Sequence, residues 1–233
     1  MLELFPGGFE ERDADGRVEL VAYAGGDDEA RMRSAFDDVS AQDVAEGWED
    51  RWREFHRGVR VGELWVGPPW LEAPARAIPV VIEPGRAFGT GAHPTTRLCL
   101  EALARMPHGS LLDVGCGSGV LAVAGCKLGF APVFALDDDS AAVAATKANA
   151  AVNGVDVDAF EADALTDALP AADTTVANIT LEAIRELSPR VTSRDVVTSG
   201  YLATDELALE GWSRLDRAEL EGWAADVWRR AGE

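Results

Sequence analysis

The stretch Leu111-Leu112-Asp113-Val114-Gly115-Cys116-Gly117-Ser118-Gly119-Val120 decides the fold. Residues 110–114 read as a short buried strand that breaks into a glycine-rich turn. From Val120 the run Val-Leu-Ala-Val-Ala resumes at helical spacing. Glycines at 115, 117 and 119 let the backbone turn sharply and let a ligand approach without Cβ interference. The helix that follows points its unpaired N–H groups at that ligand. Glycine-rich strand-to-helix turns also occur for packing alone, and the loop by itself leaves both readings open.

A dinucleotide fingerprint wants glycine at 120, where this chain has Val120, so the spacing is G-x-G-x-G. That pattern resembles the first motif of class I S-adenosylmethionine-dependent methyltransferases, whose ligand presents an amino-acid carboxylate and a ribose instead of a pyrophosphate. A second apolar strand, Val133-Phe-Ala-Leu136, ends in Asp137-Asp138-Asp139. Asp137 stands 22 residues after Gly115, where a βαβ unit places an acid that accepts from both ribose hydroxyls. Asp138 and Asp139 read as a solvated acidic strand end.

The same alternation extends in both directions. Ile78 to Ile82 is a strand, and Glu83 to Thr96 a long loop whose Pro94 suits the start of a helix running to Met106. Ser140 caps a helix through Val152 that Asn153-Gly154 ends. Val157 to Phe160 and Thr174 to Ala177 are strands, Leu181 to Leu187 a helix and Asp195 to Ser199 a strand. Trp212, Trp223 and Trp228 follow in a weaker pattern. Strand alternating with helix over 78–200 implies an α/β fold with a doubly wound, Rossmann-like sheet.

The first 45 residues form a separate block. Phe9 to Arg12, a turn over Asp13 to Gly16 and Val18 to Tyr23 read as strand, turn, strand, and a short helix is expected over Glu29 to Phe36. Trp48, Trp52 and Phe55, four and three residues apart, share a helix face and read as packing. The expected organisation is a small α+β domain over 1–45, an aromatic-rich linker helix and connection over 46–75, and the main domain over 76–233.

Beyond these patterns, Glu83-Pro-Gly-Arg-Ala-Phe-Gly-Thr-Gly-Ala-His-Pro-Thr-Thr96 closely resembles the PrmA-type methyltransferases of a large-subunit ribosomal protein. Trp48-Glu-Asp-Arg-Trp52, Val61-Gly-Glu-Leu-Trp65, Pro69-Trp70, Asp113 to Gly119 and Val176-Ala-Asn-Ile179 fit the same family in the same order. The likeness runs from about 45 to 200, and it implies that the small domain over 1–45 is truncated relative to the family's and recognises the substrate. The chain departs from the pattern at Ile179-Thr180, usually isoleucine then leucine, and at Pro189 to Arg194, usually a Lys-Pro-Gly-Gly turn.

The resemblance implies S-adenosyl-L-methionine as cofactor, in a pocket made by Thr96, Gly115, Asp137 and Asn178, with Asp113 and Gly117 from the same loop. Phe88 and the turn Gly89-Thr90-Gly91 are implied as a lid, and Asp163 as an acceptor for the adenine amine. Asn178 would position substrate or cofactor, and no general base is identified. His93 is expected as an orienting hydrogen-bond partner and His108 as an exposed turn residue. The implied reaction is methyl transfer to lysine or α-amino nitrogens of a basic ribosomal protein, in the cytoplasm.

Composition sets outer bounds. A formal charge of −20 argues against direct nucleic-acid binding and fits a basic partner. No apolar run approaches membrane-spanning length. Cys99, Cys116 and Cys126 have no metal-ligand spacing, and Cys116 reads as a small loop residue instead of a nucleophile. Three readings stay open beside the leading one: a class I methyltransferase for another protein lysine or a small molecule, a cofactor-binding homologue without turnover, and a nicotinamide-dependent oxidoreductase, which Val120 disfavours.

Overall fold

The structure is a computed structural model that describes residues 10–14, 17–21, 32–36, 39–40, 57–84 and 91–232. The chain divides into two compact units, Met1–Phe55 and His56–Glu233. In the first, β1 (Glu10–Ala14) and β2 (Arg17–Val21) pair antiparallel with Ala14 opposite Arg17; two strands were expected here, but Asp13 and Ala14, expected in the turn, belong to β1. Residues 32–35 are helical. Trp48, Trp52 and Phe55 lie outside the described residues.

The second unit holds two sheets. Residues 57–75, expected as part of a connection, carry β3 (Val59–Val61) and β4 (Leu64–Gly67), and β5 (Ile78–Val81) lies parallel to β4. Trp65 explains this placement. Its indole lies within 2.6 Å of where a Cβ on Gly58 or Gly67 would sit, so it occupies space left by two glycines at the open end of the hairpin.

The larger sheet has seven strands. After α1 (Pro94–Leu103) come β6 (Leu111–Val114), α2 (Val120–Leu128), β7 (Val133–Asp137), α3 (Ser140–Asn153), β8 (Asp158–Glu161) and β9 (Thr174–Asn178). They are followed by α4 (Leu181–Leu187), β10 (Asp195–Leu202), β11 (Trp212–Leu220) and β12 (Trp223–Arg230). The order across the sheet is β11-β12-β10-β9-β6-β7-β8. The run from β10 to β8 is parallel, and β12 enters antiparallel between β10 and β11.

Both faces are covered, as a parallel sheet requires. Leu111, Val133, Ala135, Val176 and Val197 point into the core shared with α1, α2, α3 and the small sheet. Their strand neighbours Leu112, Val114, Leu136, Ala177 and Val196 point into a second core with α4 and Trp228. This alternation within near-continuous apolar runs is the doubly wound architecture.

Three element ends differ from expectation. α1 stops at Leu103, with Met106 N–H bonded to the Leu103 carbonyl in a tighter turn before Pro107. The cap of α3 is Asp139, whose carboxylate accepts from Ala141 N–H at 2.8 Å, and Ser140 is the first helical residue. Thus Asp139, expected as a solvated strand end, satisfies an orphan helix donor. β10 continues past Ser199 through a bulge at Gly200 to Leu202.

Candidate functional site

The glycine loop is fastened from below and from one side. Gly115 and Cys116 N–H groups both reach the Leu136 carbonyl, at 2.9 and 3.0 Å. Gly115, Gly117 and Gly119 all take positive φ, and Gly119 forms the left-handed cap of α2. Asp137, at the carboxyl end of β7, accepts from Gly117 N–H at 2.9 Å through Oδ2 and from Asp139 N–H at 3.1 Å through Oδ1. Each carboxylate oxygen thus keeps lone-pair capacity for a further donor.

Asp113 lies wholly buried beneath the loop. Its Oδ2 accepts from Ala122 N–H in the first turn of α2 at 3.0 Å, and its Oδ1 has no hydrogen-bond partner. Burial pushes its carboxyl up to about 7. Cys116 is also buried, and desolvation pushes its thiol up to about 12, which keeps it protonated and agrees with a packing role.

On the other side, Thr96 in the first turn of α1 is fully buried, and its hydroxyl accepts from Asn178 Nδ2 at 3.4 Å. Asn178 ends β9. Behind it, the Ile179 side chain fills the space a Cβ on Gly115 would occupy, 2.5 Å away. The Ile179 carbonyl lies 2.1 Å from where a Cβ on Gly200 would stand. The ends of β6, β9 and β10 therefore meet at one residue, beside Asn178. This is the carboxyl edge of a doubly wound sheet, on either side of the β6/β9 crossover where such folds bind ligands.

His93 caps α1. Its Nδ1 lies 2.8 Å from Thr95 Oγ1 and accepts weakly from Thr95 N–H, and burial lowers its pKa. The turn between β11 and β12 packs on this corner. Trp223 meets the His93 ring edge-on at 4.9 Å, and Glu221 pairs with Arg97 at 3.3 Å.

The structure thus brings together Thr96, Asp113, Gly115, Gly117, Asp137 and Asn178. Gly91 is close to the small sheet, with Val66 filling its Cβ position. Asp163 follows Ala162, whose N–H bonds the Asp137 carbonyl at 3.0 Å. Its carboxylate is exposed and caps its own turn, accepting from Leu165 N–H at 2.8 Å and Thr166 Oγ1 at 3.0 Å. Phe88, Gly89 and Thr90 lie outside the described residues. Among the described residues, no group of His, Cys, Asp and Glu has the makings of a metal site.

Sequence reasoning missed Thr146 and Asn149 of α3. Thr146 Oγ1 donates to the Gly117 carbonyl at 3.1 Å, and Asn149 Nδ2 to the Ser118 carbonyl at 2.8 Å. Their signal was present: Thr146, Asn149 and Asn153 form a polar stripe at helical spacing in an alanine-rich segment.

Residues 12–231 match the family model described as ribosomal protein L11 methyltransferase (PrmA). The chain belongs to the PrmA family. A PrmA-family relative from Myxococcus xanthus, named ribosomal protein L11 methyltransferase, is 38% identical over 214 residues, covering 88% of this chain and 72% of the relative. One of the same name from Chromobacterium violaceum is 43% identical over 184 residues, covering 67% of this chain and 60% of the relative. Against the Shewanella woodyi relative the chain spans 57% of that protein's length. The crystal structure of ribosomal protein L11 methylase from Lactobacillus delbrueckii subsp. bulgaricus superposes with a TM-score of 0.69 at 28% identity, over 75% of this chain and 99% of that one. That PrmA fold is the one described above.

Proposed function

We propose that this chain is an S-adenosylmethionine-dependent N-methyltransferase whose acceptor is an amine of a large-subunit ribosomal protein. The observation that carries the reading is Asp137. Its carboxylate is fixed against the glycine loop by Gly117 N–H, at the strand end where a vicinal diol would meet it.

The donor set fits the cofactor. Asp137 supplies acceptors for ribose hydroxyls, the loop offers backbone unobstructed by side chains, and Thr96 and Asn178 supply small neutral dipoles for the amino-acid end. When bound, S-adenosylmethionine supplies a methyl group already activated on a sulfonium. The chain's own contribution is position and dryness. Thr96 is fully buried and Asn178 half-buried, so both amide and hydroxyl are held in fixed directions with little water around them. Uncharged dipoles in such a setting disfavour an ammonium, which helps present an acceptor amine in its neutral, nucleophilic form. The proton an acceptor ammonium must shed to become that neutral amine passes to solvent as the amine enters the site.

Gly91 and the loop before it are assigned as the cover over the cofactor, and Asp163 as an acceptor at the adenine end. Residues 1–45 are assigned to gripping the acceptor protein and 76–233 to catalysis; of the intervening 46–75, β3 and β4 belong to the core of the second unit. The family membership and the charge of −20, suited to a basic ribosomal protein, support this acceptor. We assign the reaction to the cytoplasm, where ribosomal proteins are made.

The test is transfer of isotopically labelled methyl groups from S-adenosylmethionine to ribosomal proteins from cells lacking this gene. Label on one large-subunit protein, lost with Asn178→Ala, is expected. Label on other proteins or small molecules alone would move the acceptor, and binding of cofactor without transfer to any of them would contradict the reading.

A further inference from the structure

Asn149 of α3 is 2% exposed, and both ends of its amide are used. Oδ1 accepts from Glu83 N–H at 3.0 Å, and Nδ2 donates to the Ser118 carbonyl at 2.8 Å. The amide orientation follows from chemistry, because an N–H requires an acceptor and a carbonyl a donor. One turn earlier, Thr146 Oγ1 donates to the Gly117 carbonyl at 3.1 Å. In a trans peptide the C=O and N–H point in opposite directions. Drawing the Gly117 and Ser118 carbonyls toward α3 therefore turns the Ser118 and Gly119 N–H groups away from it, the latter onto the Cys116 carbonyl at 2.7 Å, which closes the loop's turn.

Asn153, four residues on, provides a built-in comparison. It too clamps β5 to α3, accepting from Val81 N–H at 2.9 Å and donating to the Val81 carbonyl at 2.6 Å. Its amide is directed at the small sheet, whereas that of Asn149 spans from the end of β5 to the glycine loop.

We propose that Asn149 is a positioning residue for the cofactor, setting the peptide planes of the glycine loop and tying them to the chain just beyond β5. Asn153 serves stability alone. The inference rests on the reading that this loop holds S-adenosylmethionine.

The experiment is calorimetric titration of S-adenosylmethionine into the wild type, Asn149→Asp, Thr146→Val and Asn153→Leu, with the melting midpoint of each unliganded protein recorded. At pH 8, Asn149→Asp keeps the acceptor for Glu83 but sets a carboxylate against the Ser118 carbonyl. Its dissociation constant is expected to rise about tenfold or more, the scale of a lost buried hydrogen bond. Lowering the pH should restore affinity, as the protonated carboxyl again donates to that carbonyl. Thr146→Val should weaken binding in the same direction without the pH rescue. Asn153→Leu should lower the melting midpoint while leaving the dissociation constant within roughly twofold of wild type, since only stability is touched. Wild-type affinity in both Asn149→Asp and Thr146→Val, or equal loss in Asn153→Leu, overturns the inference. A wild type that fails to bind overturns the methyltransferase reading as well, so the two failures are distinguishable.

Discussion

Asp113 holds the first turn of α2 through one oxygen while the other is buried without a partner. Burial raises its carboxyl to about 7. An unfolded aspartate titrates near 3.9, so between about 4 and about 7 the folded protein keeps a proton that the unfolded chain has released. The contribution to stability is greatest below the unfolded value and declines as pH rises toward 7. Asn at this position keeps an acceptor for Ala122 N–H and cannot ionise. Asp113→Asn should therefore remove from the stability profile a slope of up to about 1.4 kcal/mol per pH unit across that window, read from urea unfolding at several pH values. Identical slopes in the two proteins would show that Asp113 is not held protonated.

At the scale of elements, Gly200 is the position on which the arrangement around Asn178 depends. Its φ is +104°, and a Cβ would lie 2.1 Å from the Ile179 carbonyl carbon's oxygen, which is backbone and has little room to yield. Gly200→Ala should cost about 1–3 kcal/mol from the backbone conformation alone, with weaker cofactor binding because Ile179 adjoins both Asn178 and Gly115. Unchanged melting and affinity would contradict this account of the bulge. The parallel strands were legible because most carry apolar side chains on both faces, as Val133, Phe134, Ala135 and Leu136 do in β7. The hairpin of β11 and β12 was faint for the opposite reason. β11 is largely exposed, and β12 buries Asp226, which Arg217 Nη1 approaches at 3.0 Å and Tyr201 bonds at 2.8 Å. A buried charge compensated from neighbouring strands interrupts the hydrophobic alternation on which strand recognition depends. The same limit applies to the site. Asp137 and the loop glycines were legible from spacing, whereas Asn149 acquires its role only when α3 is laid beside Ser118 and Glu83.

For the whole molecule, a charge of −20 on 233 residues favours encounter with a basic partner and is weakened by salt. If the acceptor is a basic ribosomal protein, its KM should rise several-fold as ionic strength increases from about 0.01 M to about 0.15 M, where the Debye length falls from about 30 to about 8 Å. The kcat should change little, because salt screens the exposed surface far more than the enclosed reacting atoms. A KM independent of salt would show that the acidic surface does not guide the acceptor. The methyltransferase reading itself stands most directly on one contact, the Asp137 carboxylate at the glycine loop. Isothermal titration of the purified protein with S-adenosylmethionine, beside Asp137→Ala, tests it. Micromolar-range binding by the wild type, lost in a variant that still melts cooperatively, is the predicted result; no binding by the wild type, or equal binding by both proteins, would contradict it.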